Sequence, residues 1–98
     1  MKVITSNDFD TAIKSNSNVV IQFSADWCGP CRQLTPLLET FEGEDTSVYK
    51  VDVEQSQDLA ALFQVRSIPK LVLFKNGTKT KETVGSLNKE KLSTFIND

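Results

Sequence analysis

Residues 19–31 read Val19-Val20-Ile21-Gln22-Phe23-Ser24-Ala25-Asp26-Trp27-Cys28-Gly29-Pro30-Cys31, and the parsing of this stretch decides the fold. Its first five residues are apolar and mostly β-branched apart from Gln22, the pattern of a central strand covered on both faces. They lead straight into two cysteines separated by two residues, the only cysteines in the 98-residue chain. Beyond them Leu34, Leu37, Leu38 and Phe41 recur at i, i+3, i+4 and i+7, which predicts an amphipathic helix. Pro30 falls near the first turn of that helix, where its missing N–H costs little. Pro36 lies further inside and predicts a kink, because no amide there can answer the carbonyl of Arg32.

Working outward, strands and helices alternate to both ends. Met1 to Thr5 predicts a short strand. Ser6 or Asn7 is placed to cap a helix that groups Phe9, Ala12 and Ile13 on one face. On the other side, Val48 to Val53 predicts a strand, and Leu59, Leu62 and Phe63 the apolar face of a following helix. Ile68-Pro69 interrupts before Leu71-Val72-Leu73-Phe74, a second run apolar on both faces. Asn76-Gly77 supplies a tight hairpin turn. The return arm, Thr78 to Val84, is rich in Thr, Lys and Glu, as suits a sheet edge where charge discourages pairing with other chains. Asn88 is placed to cap a last helix with Leu92, Phe95 and Ile96 inward. The pattern predicts an α/β fold, a mixed sheet with helices on both faces, built as one domain over residues 1–98.

Hydrophobic residues at 39% and charged residues at 24% are ordinary globular values. A net charge of −2 gives no reason to expect nucleic acid or an anionic membrane as partner. The start of the chain has no apolar run of signal-peptide length, and no stretch approaches the ~18 apolar residues of a membrane span. The expectation is a soluble cytoplasmic protein, monomeric since nothing demands more, in a compartment that keeps thiols reduced. With no histidine and no third cysteine, a four-ligand zinc site of nitrogen and sulfur cannot form within one chain. A structural staple is a weak reading too, since closing so short a loop is worth only ~2 kcal/mol in the chain-entropy model. Redox cycling is the leading reading of Cys28 and Cys31. A metal or iron–sulfur site shared between two chains is a remote alternative.

At this point the chain resembles thioredoxin over nearly its whole length. The resemblance rests on Ala25-Asp26-Trp27-Cys28-Gly29-Pro30-Cys31-Arg32, then Pro36, Ile68-Pro69, Phe74-Lys75-Asn76-Gly77 and Val84-Gly85. It implies the thioredoxin fold and a protein-disulfide reductase acting by dithiol–disulfide exchange, Cys28 as nucleophile and Cys31 as the resolving thiol. It implies no bound cofactor beyond the redox-active Cys28–Cys31 disulfide and no metal. The partners implied are disulfide-containing protein substrates and an NADPH-dependent flavoprotein reductase as electron donor. Pro69 is expected to be a cis-proline beside the cysteines. Trp27, Ile68, Pro69, Val84 and Gly85 are expected to form a shallow apolar docking groove, where main-chain groups beside Pro69 pair with an extended substrate. The alternative function is a thioredoxin-fold binding module, a non-catalytic subunit of a larger complex in which the cysteines are dispensable.

Cys28, where a strand ends and a helix begins, meets free N–H groups and the positive end of the helix dipole. Lowering a thiol from about 8.5 to about 7, the figure associated with thioredoxin itself, raises the thiolate fraction at pH 7 roughly 16-fold. The accompanying loss of nucleophilicity, roughly 4- to 6-fold, leaves an advantage of only about threefold. The larger contribution is expected from the intramolecular attack of Cys31, with Gly29 and Pro30 setting the spacing and stiffness of the loop.

The chain departs from the family at Gln22, where most thioredoxins carry a buried aspartate thought to take the proton from the second cysteine. Lys50 matches the lysine normally near that carboxylate. Gln22 is expected to be a hydrogen-bonded polar core residue, with water removing the proton. The competing reading has Glu54, Asp52 or Asp26 substituting through water. Lys70 stands where threonine is common. It reads either as a positive charge beside the groove, favouring acidic substrates, or as a solvated lysine at a strand start. The connection around Glu42 to Thr46 is shorter than the family's usual one.

Overall fold

The apolar run that opens the diagnostic stretch becomes β2, Asn18–Ser24, the middle strand of a five-stranded sheet in a computed structural model that describes residues 1–98. Every residue of β2 after Asn18 is buried, as a strand covered on both faces requires. Its neighbours are β3 (Thr46–Asp52), parallel, and β4 (Lys70–Lys75), antiparallel. The short β1 (Lys2–Val3) extends β3 in parallel, and β5 (Thr78–Val84) closes the other edge antiparallel to β4. The strand order is β1-β3-β2-β4-β5.

Alternation along the strands sends successive side chains to two separate cores. Val19, Ile21 and Phe23 of β2 join Val51, Val72 and Phe74 beneath α1 (Ser6–Ile13) and α3 (Gln57–Leu62), where Phe9, Ala12, Ile13 and Leu59 cover them. Val20, Val48, Leu71 and Leu73 face the opposite way, under Leu34 and Leu38 of α2 (Gly29–Glu39) and Leu92, Phe95 and Ile96 of α4 (Lys89–Asn97). The α/β sandwich of a mixed sheet with helices on both faces is as the periodicities predict. Asn88 caps α4 by accepting from the Lys91 amide at 2.8 Å. Asn76 and Gly77 turn the hairpin with φ of 52° and 82°, the left-handed pair a tight two-residue turn needs. No helix is long and apolar enough to cross a membrane.

Three local expectations need correction. The helix cap of α1 is Thr5, one residue before Ser6, and its side chain makes no capping bond. Phe41 lies beyond the end of α2, because the chain turns at Thr40; it still packs partly against the second core. Leu62 is not on the inward face of α3 but 69% exposed, since a six-residue helix buries only Leu59 and then ends. Phe63, which closes α3, turns inward as expected and stacks against Phe9, Phe23 and Phe74 at centroid distances of 5.4, 5.5 and 6.1 Å. Pro36 sits inside α2, where the stripe places it, and the helix continues past it to Glu39.

Candidate active site at the end of the central strand

β2 ends at Ser24, and a turn closed by the Cys28 amide on the Ala25 carbonyl (3.1 Å) delivers the chain to α2. Cys28 is the N-cap of that helix, with extended backbone and a sulfur that accepts from the Cys31 amide at 3.2 Å. This is the ordinary cap geometry with sulfur in place of oxygen, and the positive end of the helix faces the same atom. Cys28 and Cys31 are joined as a disulfide with their Cα atoms 5.3 Å apart. Both are buried, Cys31 (1% exposed) more deeply than Cys28 (4%), so Cys28 is the less enclosed of the pair. Pro30 occupies the first turn of α2, where an amide would be unpaired in any case. A Cβ built on Gly29 would meet nothing within 4 Å. The space beside the pair is therefore open, and packing does not require glycine there.

Behind the cysteines lies a buried polar group. Gln22, fully buried in β2, donates from Nε2 to the Cys31 carbonyl at 3.0 Å. Its Oε1 accepts from Thr35 Oγ1, which also approaches the Cys31 carbonyl, both at 3.0 Å. Thr35 has one proton for two acceptors, so it serves either Gln22 Oε1 or the Cys31 carbonyl, while Gln22 Nε2 donates to that carbonyl in both cases. The expectation that Gln22 is a hydrogen-bonded core residue matches this geometry. Lys50, its register partner on β3, is half-buried and its ammonium makes no hydrogen bond or ion pair. Asp26 and Glu54 are exposed, and Asp52 Oδ1 is engaged by the amides of Glu54 (2.8 Å) and Gln55 (3.2 Å). Thr35 escaped the sequence reading. A threonine four residues after Cys31 in a helix is placed to bond the carbonyl one turn back, and that spacing was the available signal.

Trp27 is 67% exposed and Val84 56%, both large apolar surfaces left to solvent. Ile68 is half-buried, and the Ile68–Pro69 bond is cis. The Pro69 carbonyl accepts from the Gly85 amide at 2.8 Å, which ties the two segments together, and Gly85 holds φ of 99°, a conformation that favours glycine. No backbone–backbone bond involves Arg66, Ser67 or Ile68, so their main-chain donors and acceptors are unclaimed by the fold.

Lys70 contradicts both sequence readings. It is 6% exposed, neither a solvated lysine nor a free charge at the groove. Its ammonium donates to the Phe63 carbonyl at 2.6 Å and pairs with Glu82 Oε1 at 3.3 Å. Lys79 takes the other carboxylate oxygen at 3.0 Å. Lys79 and Lys70 together hold the Glu82 carboxyl below the ordinary glutamate value. A lysine after a proline at the start of a strand carries no sequence signal of such burial. No cluster of three or more histidine, cysteine or acidic side chains is placed to hold a metal ion.

A Cys-x-x-Cys disulfide loop at the N-terminus of a helix, fed by the central strand of a mixed sheet, defines a thiol–disulfide oxidoreductase. The thioredoxin family model matches residues 1–98. The chain is 40% identical over 99 residues to thioredoxin of Chlamydia pneumoniae, covering 99% of this chain and 96% of the relative. It is 39% identical over 84 residues to thioredoxin-1 of Saccharomyces cerevisiae, covering 84% and 82%. The crystal structure of oxidised mitochondrial thioredoxin 3 from the same yeast superposes with a TM-score of 0.86 at 31% identity, covering 100% of this chain and 94% of that one. The chain belongs to the thioredoxin family, whose members are protein-disulfide oxidoreductases.

Proposed function

We propose that residues 1–98 act as one thioredoxin domain that reduces protein disulfides, with Cys28 as nucleophile and Cys31 as resolving thiol. The observation that carries the assignment is the Cys28 sulfur at the N-cap of α2, accepting from the Cys31 amide. In the dithiol form the same amide and the helix end favour a thiolate at that atom. The Cys28 thiolate attacks one sulfur of a substrate disulfide, forming a mixed disulfide and expelling the other substrate sulfur as thiolate. Cys31 then attacks the Cys28 sulfur, forming the intramolecular disulfide and expelling the second substrate sulfur. Two electrons pass to the substrate, and two protons leave the protein thiols for the released thiolates. The second step is intramolecular, so its effective concentration is set by the short Cα–Cα span and not by diffusion.

Substrate recognition falls to Trp27, Ile68, Pro69, Val84 and Gly85. The exposed apolar area of Trp27 and Val84 and the unclaimed main-chain groups at Arg66–Ile68 support docking of an extended segment by strand addition. Gln22 holds the Cys31 carbonyl in place and leaves proton removal from Cys31 to water, while Lys50 contributes positive charge beside it. The domain needs no bound cofactor. Its electrons come from an NADPH-dependent flavoprotein reductase, and it works as a cytoplasmic monomer. Turnover of an insulin disulfide coupled to such a reductase tests the reading. Wild type consumes NADPH, and replacing Cys28 and Cys31 together by serine abolishes consumption. A double-serine protein that retains its cellular role would favour the binding-module alternative.

A further inference from the structure

We propose that Lys70 is a positioning residue for substrate docking, its buried ammonium bracing the loop 64–69 against β5; the inference rests on the docking role assigned above. A buried ammonium is costly unless its donors are satisfied, so its presence directly after Pro69 needs an account. Its first partner, the Phe63 carbonyl, belongs to the residue that closes α3 and has no backbone donor of its own. Its second, Glu82, lies on β5 one pleat from Val84, which is the register partner of Lys70 itself. One side chain thus joins the end of α3, the start of β4 and the edge strand that carries Val84.

Between these anchors the chain has few others. Gln64 and Val65 bond back to Ala61 and Ala60 (3.1 and 2.8 Å), and Pro69 bonds forward to Gly85. Arg66, Ser67 and Ile68 have no backbone–backbone bond. Groups left free to pair with a substrate cannot also hold their own loop, so its shape is set at its ends. Lys70 holds the end at Phe63, and through Glu82 it adds a side-chain tie to the β4–β5 ladder where Ile68–Pro69 meets Val84–Gly85. Without that brace the platform must be ordered at the moment of binding, and the cost appears in affinity for an extended substrate. The reaction at the Cys28 sulfur, on a different element, is untouched.

The test compares a large disulfide, insulin, with a small one that needs no groove, dithiobis-nitrobenzoate, in wild type and in Lys70→Met, Lys70→Arg and Glu82→Gln, well below each thermal midpoint. Lys70→Met is expected to raise KM for insulin about fivefold or more with kcat within about twofold, and to leave the small disulfide within about twofold. Lys70→Arg, which can reach both partners, restores most of the KM. Glu82→Gln, more exposed and less exposed to folding failure, raises KM about two- to threefold and speeds hydrogen exchange at the Gly85 amide. Unchanged KM in Lys70→Met and Glu82→Gln, or equal losses on both substrates, would overturn the proposal; if Lys70→Met does not fold, Glu82→Gln alone decides. A wild type that reduces neither disulfide would instead overturn the functional reading.

Discussion

Replacing Gln22 by glutamate changes one atom pair and keeps the shape, so its effect follows from the hydrogen bonds alone. Gln22 is fully buried, and its Nε2 donates to the Cys31 carbonyl at 3.0 Å. A carboxylate oxygen in that place would face a carbonyl oxygen with no proton between them. Only the protonated acid can make the bond, and burial disfavours the charge as well, so both effects raise the pKa. With Thr35 as the one hydroxyl donor on the other oxygen, a rise of about 3 units from the ordinary ~4.3 is a conservative figure. The folded value then exceeds the unfolded one. The variant has its full stability below the unfolded pKa and loses it as pH rises through the folded pKa, at about 1.36 kcal/mol per unit. Between pH 5 and pH 8 the loss is about 3 kcal/mol beyond wild type, or roughly 1–3 M in the urea midpoint of a domain this size. Urea denaturation of the oxidised protein at pH 5, 6, 7 and 8 measures it. A variant whose deficit is the same at every pH would refute the reasoning, showing that the carboxylate finds water or the Lys50 ammonium.

Four further outcomes are expected. Gln22→Asp, shorter by one methylene, withdraws from the Cys31 carbonyl and leaves a carboxylate behind Cys31; it is expected to speed turnover and alter its pH dependence near neutrality, and an unchanged pH–rate profile would count against the account of proton removal. Thr35→Val leaves Gln22 Oε1 buried without a donor, and costs about 1–3 kcal/mol in denaturant unfolding; a loss below 0.5 kcal/mol, an estimate at the floor of such bonds, would mean that the amide finds another partner. Gln64 holds φ of 53° at the end of α3, with the paired bonds to Ala60 and Ala61 that favour glycine there. Gln64→Gly is accordingly expected to stabilise by about 1 kcal/mol, or about 4–8 °C in thermal midpoint. Glu82 is held below its ordinary value by Lys79 and Lys70, so its contribution is present above the unfolded carboxyl pKa and is lost as pH falls through the depressed folded value. The stability gap between wild type and Glu82→Gln should therefore close as pH drops below about 4, and a gap that persists at pH 2–3, as an approximate range, would contradict the pairing.

What the sequence revealed and what it hid divide along the range of the interactions. The runs Val19–Phe23 and Leu71–Phe74, the stripe of Leu34 and Leu38, the Asn76-Gly77 turn and the Asn88 cap each depend on residues within a few positions, and each appears where its pattern places it. The cysteine pair was legible for the same reason. Lys70 was not, because the carbonyl and carboxylate that make its burial tolerable lie 7 residues before it and 12 after it, on other elements. Leu62 was misjudged, since helical periodicity assumes that the helix continues and α3 ends there, whereas Phe63 does turn inward as its place in the stripe predicts. Gln22 stands in between: its departure from the family was visible in sequence, but the role of Thr35 in satisfying it required the fold.

The redox potential of the Cys28–Cys31 pair, obtained by equilibration with glutathione and dithiothreitol buffers, tests the assignment most directly. A value near −270 mV, the figure known for thioredoxin rather than one derived from this chain, lies below a cytosolic glutathione poise of about −220 to −260 mV and is the expected result for a disulfide reductase. A value above about −200 mV would contradict it, leaving the thioredoxin fold in place but making the pair an oxidant or isomerase.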